Sequence, residues 1–171
     1  MLAQPCQRKP LLIVYRQGTR GRHNVYCVSW RNNTMDYETV IGEVQNRAGL
    51  PSREDALTVT RTTLELLGER LESGEATNLG AQLSEEIGRH LDKTSDVERF
   101  SWDEFVDRLM DRGDYTSDER GTAVHHARIV LAVVDEAVSE GEMTDVRNQL
   151  PDDYDELFVA VDREEKSVDD S

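Results

Sequence analysis

The first 34 residues contain no aspartate or glutamate, and the remaining 137 contain almost no lysine. Those two absences divide the chain. Residues 1–34 carry Arg8, Lys9, Arg16, Arg20, Arg22 and Arg31 and are therefore net +6. Residues 35–171 hold all 35 acidic residues against 12 arginines and two lysines, Lys93 and Lys166, a net of −21. A break of this kind marks a separate segment or tail. Cysteine is equally sparse: Cys6 and Cys27 both lie in the basic stretch, so the acidic part has neither a disulfide framework nor a zinc pattern. No run of about 20 apolar residues occurs, which excludes a membrane-spanning helix, and an acidic surface is repelled by anionic lipid. Aromatics make up 6% of the chain, so its core must rest on Leu, Val, Ile and Ala. With 171 residues, one domain is the expectation.

For residues 1–34 three readings compete. Met35 is read as the natural start, with the preceding residues an extension; an Arg-rich targeting peptide is the second reading, although the apolar run Leu11–Tyr15 is short for one. The third is a short hairpin or basic nucleic-acid arm, with Leu11–Tyr15 and Asn24–Trp30 flanking a Gly-Arg-Gly turn. The segment is expected to be non-helical or disordered.

High acidity with scarce lysine, spread along the chain, suits a protein of a high-salt, archaeal cytoplasm, where carboxylates hold water and salt screens their repulsion. An acidic surface that mimics nucleic acid, or docks a basic partner, is the functional alternative.

What is present is repetition. Shifting the chain by 67 superposes Gly74-Glu75 on Gly141-Glu142, Thr77 on Thr144, and Gln82-Leu83 on Gln149-Leu150. Apolar positions follow: Ala56, Leu64, Leu67 and Leu71 match Ala123, Leu131, Val134 and Val138, and Leu79, Ile87 and Leu91 match Val146, Tyr154 and Phe158. Upstream the shift becomes 65, setting Tyr37, Val40 and Val44 on Trp102, Phe105 and Leu109. The expected architecture is all-α: a tandem pair of related four-helix units, 35–92 and 99–160, packed as one helical bundle domain over 35–160, with 161–171 an acidic disordered tail.

Helix boundaries carry chemical signatures. Asp36, Ser52 and Ser101 are placed as N-caps, Ser101 with Glu104 as a capping box and Phe100 with Phe105 as its staple. Gly49 and Gly113 are placed as stops after the first helix of each unit, Thr116 with Glu119 as a restart, and Gly74 and Gly141 as ends of the long helices. Leu57 and Leu66, like Val124, Ile129 and Val133, fall off the main apolar stripe, which predicts long helices buried on most sides and packed centrally.

Reactive groups do not converge. His125 and His126 are adjacent and point about 100° apart on a helix, so they cannot grip one metal as an i, i+4 pair does. His126, aligned with Val59, is the one metal-ligand candidate; its bland reading is a core histidine with satisfied hydrogen bonds. Glu85-Glu86 and Asp152-Asp153 read as solvated faces, and Gln82 and Gln149 as closures of helix ends. No nucleophile elbow or phosphate loop occurs. No catalytic residue and no cofactor are assigned.

The wording of both units, Gly-Glu, then Gln-Leu, then an acidic pair before the last helix, resembles the prokaryotic family of uncharacterised proteins known as domain of unknown function 2267. The resemblance covers about residues 36–160 and implies a small helical protein, with no activity, cofactor or site to carry over. The residues themselves point to a cytoplasmic, non-enzymatic protein-interaction module whose groove between the units takes a partner helix. Metal or small-molecule binding at that seam, near His126, is the alternative. Neither a membrane nor a nucleic-acid partner is expected.

Overall fold

A computed structural model describes the backbone of residues 35–92 and 97–169, and side chains as far as Asp162. The readings of residues 1–34, and Lys93, lie outside the described residues. Every helix among the described residues lies between Tyr37 and Asp169.

Among the described residues the fold is all-α. The helices are α1 (Tyr37–Ala48), α2 (Arg53–Arg70), α3 (Ser73–Gln82), α4 (Glu85–Gly88), α5 (Trp102–Arg112), α6 (Arg120–Ala137), α7 (Glu140–Gln149) and α8 (Asp155–Asp169), the last entered through a 3-10 turn at Asp152–Tyr154. The two 18-residue helices α2 and α6 are the axis. Each buries residues on several faces, Leu64, Leu66 and Leu67 on α2 and Val130 to Val134 on α6. At about 1.5–3 kcal/mol per buried aliphatic side chain, these positions hold the body together. α1 packs on both α2 and α6, and so does α5; α8 lies along α6, and α3 meets α7. One apolar cluster runs from Val40 to Val161 without a break between the halves.

The predicted caps form: Asp36 accepts from the Thr39 N–H at 2.8 Å, Ser52 from Asp55 at 3.1 Å and Ser101 from Glu104 at 3.3 Å. The rings of Phe100 and Phe105 stack with centroids 6.4 Å apart. Gly49 takes the left-handed conformation, φ 65°, that only glycine adopts freely. At the matching stop Gly113 keeps a negative φ, and Asp114 takes the left-handed turn instead; aspartate tolerates it better than most residues.

Three boundaries differ from the sequence reading. Gly74 and Gly141 do not end the long helices but lie inside α3 and α7. The chain leaves the helix earlier, at Leu71 and Val138, both in extended backbone and turned toward the core. Thr116 does bond Glu119, its amide 2.8 Å from the carboxylate, yet α6 begins only at Arg120. Finally, residues 161–169 are helical, not a disordered tail. Buried Leu157, Phe158 and Val161 anchor α8, and a helix once anchored propagates through charged residues of good helix propensity.

Candidate functional site

Three places bring polar groups together. His126 lies on α6 at 8% exposure, while His125 faces solvent, as the alignment with Val59 anticipates. Its Nδ1 is 2.7 Å from the Tyr115 hydroxyl, and the ring also bonds the carbonyl of Ala48, the last residue of α1. With its N–H given to Ala48, the ring accepts from Tyr115 as neutral imidazole. Burial, then the neighbouring His125, pulls the His126 pKa below its ordinary value. Burial also pushes the Tyr115 phenol up to about 12. The arrangement closes a helix end and fixes the loop before α6; among the described residues no group of three His, Cys, Asp or Glu side chains is placed to hold a metal.

The acidic pairs separate in role. Glu85 and Glu86 are exposed in the first turn of α4, whereas Asp153 accepts from the Trp102 N–H at 2.9 Å and so helps to start α5. Aromatic side chains gather there: Trp102, Phe105 and Tyr154 lie with centroids 5.3–5.7 Å apart, and the Tyr154 hydroxyl donates to the Phe100 carbonyl.

The second place is the α3–α7 seam. Gln82, at the end of α3, accepts from the Ser139 N–H at 2.8 Å and donates to Glu142 at 2.7 Å. Gln149, at the end of α7, accepts from the Glu72 N–H at 3.2 Å and donates to Glu75 at 2.9 Å. Both glutamines therefore do close helix ends, but each serves the entry to the other helix. Neither α3 nor α7 has a cap from its own flanking side chain.

Sequence reasoning missed a third set. Glu69, 7% exposed on α2, takes both terminal nitrogens of Arg112 on α5 at 2.8 and 3.0 Å, with Arg108 3.7 Å away. Arg47 on α1 grips Glu136 on α6 in the same fashion, at 2.5 and 3.0 Å. The signal was available, because Arg47 and Arg112 lie 65 apart and Glu69 and Glu136 lie 67 apart, the two shifts already found in the sequence.

At the Gln149 end the seam opens into a cleft of about 220 Å³ lined by Arg70, Glu72, Val97, Arg99 and Gln149. Val97, 40% exposed, is the large apolar side chain left in solvent among the described residues. Arg70 donates to the Phe100 carbonyl at 3.2 Å and lies over the Tyr154 ring, while Arg99 is exposed.

Fold and polar contacts thus define an all-helical protein whose histidine, glutamines and buried glutamate hold helices to one another. The chain belongs to a family of uncharacterised conserved proteins, DUF2267, whose model matches residues 37–157. No curated protein matches it. No helix among the described residues is long and apolar enough to cross a membrane.

Proposed function

We propose that residues 35–160 are a non-enzymatic protein-interaction module of a high-salt cytoplasm, two related units that present the cleft between them to a partner protein. The observation that carries this reading is the cleft itself. Val97 stands exposed beside Arg70 and Arg99 in a stretch that is net −21. An apolar side chain flanked by two guanidinium groups suits a partner segment that offers a hydrophobic residue next to carboxylates. The metal or small-molecule reading at His126 has less support, because the ring is engaged by Tyr115 and Ala48.

The test is capture from a high-salt cytosolic extract by the wild-type chain and by the double variant Val97→Asp, Arg99→Glu, with proteins, nucleic acid and metals quantified. A stoichiometric protein lost with the double variant, whose circular dichroism stays unchanged, supports the reading. Equal capture by both chains, or recovery of metal or small ligand instead, overturns it.

A further inference from the structure

Polar contacts between the first and second halves of the helical region come in reciprocal pairs. Arg112 of α5 grips Glu69 of α2, and Arg47 of α1 grips Glu136 of α6, each through both terminal nitrogens. A shift of 65 carries Arg47 onto Arg112, and a shift of 67 carries Glu69 onto Glu136. Gln82 accepts from the Ser139 N–H and donates to Glu142, while Gln149 accepts from the Glu72 N–H and donates to Glu75. The shift of 67 turns one of these sets into the other. The helices follow the same rule: α1 meets α6 as α5 meets α2, and α2 with α6, like α3 with α7, meets its own counterpart.

Reciprocity of this kind defines an isologous interface, in which a contact from residue i of one half to residue j of the other is returned by their equivalents. Two unrelated surfaces that happen to fit have no reason to repeat their contacts. Each half therefore carries both members of every pair, and nothing in these contacts requires the two halves to belong to one chain. Like does not match like, however. α2 buries Thr60, Thr62 and Thr63 where α6 has Ala127, Ile129 and Val130, and the Thr63 hydroxyl already has no hydrogen-bond partner among the described residues. Two α2 helices packed together would double those buried hydroxyls. The match is between residues 35–92 and residues 99–160.

We infer that two copies of this chain exchange halves, residues 35–92 of each pairing with residues 99–160 of the other in a closed two-fold dimer. Both interfaces of that dimer reproduce the contacts of the single chain, which is why such an exchange is a low-cost route to a dimer. Within one chain the halves meet at an effective concentration on the order of 1 mM. The dimer gains as the protein concentration approaches that value. The inference does not rest on the partner-binding reading. In the dimer, though, the cleft becomes composite, with Arg70 and Glu72 from one copy and Gln149 from the other.

The experiment uses two full-length variants. One has its first half reversed in charge, Arg47→Glu with Glu69→Arg; the other has its second half reversed, Arg112→Glu with Glu136→Arg. Alone, each variant sets like charges together at both ion pairs. An exchanged heterodimer of the two restores opposite charges at every pair. The variants are refolded from urea separately and as a mixture, and the products are read by light scattering and native mass spectrometry. A one-to-one heterodimer from the mixture, several-fold above any dimer of either variant alone, is expected. A mixture that stays monomeric, or dimers that combine the variants at random, overturns the inference. Where the reversed charges prevent folding, wild-type chains of natural and heavy-isotope mass decide, refolded together at about 1 mM. Mixed-mass dimers that form on refolding together, but not on mixing folded chains, are then expected. Monomers alone, or dimers that mix without unfolding, overturn it.

Discussion

Glu69 of α2 and Arg112 of α5 form a two-pronged ion pair, 2.8 and 3.0 Å, at the edge of the core. The carboxylate is 7% exposed while the guanidinium keeps 35% of its side chain in solvent. Only one partner is deeply desolvated, so removing Glu69 strands no fully buried cation. Glu69→Gln is expected to cost about 1–3 kcal/mol in urea denaturation. At the corresponding Arg47–Glu136 pair, where both side chains are about a third exposed, Glu136→Gln should cost less than about 1 kcal/mol. Equal losses would mean that burial does not set the difference.

His126 gives the domain an acid limit. Its pKa is lowered in the folded state by burial and by His125. On acidification the unfolded chain takes up the proton first, and stability falls as pH drops below the ordinary value of 6.5. The urea midpoint of wild type, compared with His126→Gln between pH 5 and 8, reads this directly. The slope below pH 6.5 should be reduced in the variant, and Tyr115→Phe should cost about 1 kcal/mol with little change in slope.

Glycine substitutions should split in sign. A Cβ on Gly88 would lie 2.3 Å from the Gly80 carbonyl oxygen, and one on Gly68 would lie 2.6 Å from that of Leu91. Both meet backbone, which cannot swing away. Gly88→Ala and Gly68→Ala are each expected to cost about 1–3 kcal/mol. Gly42, inside α1, has nothing within 4 Å, and Gly42→Ala should stabilise by about 0.5–1 kcal/mol. Thermal melts of the three variants test the set.

If the acid excess reflects a high-salt cytoplasm, stability should increase as potassium chloride rises from about 0.1 M to above 1 M, where the Debye length falls from about 10 Å to about 3 Å. A melting temperature that falls over this range would count against that origin.

Much of the local structure was legible in the residues. Asp36, Ser52, Ser101 and Gly49 act within a few residues of themselves, and capping chemistry is decided at that range. The burial of His126 followed from its alignment with Val59. The ends of α2 and α6 were not legible. Gly74 and Gly141 look like stops, but the chain turns three residues earlier, where Leu71 and Val138 gain more from packing than from another helical turn. Residues 161–169 misled for a related reason: a charged stretch has no core face of its own, yet it continues a helix that Leu157 and Phe158 have anchored.

By itself the sequence determined the helices, their order, most of their caps and the identity of the core, because propensity, capping and apolar period act over one or two turns of chain. The tertiary structure alone decided which polar groups meet. Gln82 with Glu142, Gln149 with Glu75 and Arg112 with Glu69 are separated by 60, 74 and 43 residues. Nothing local selects such partners; packing the long helices sets where the other helices cross, and the side chains at those crossings become neighbours.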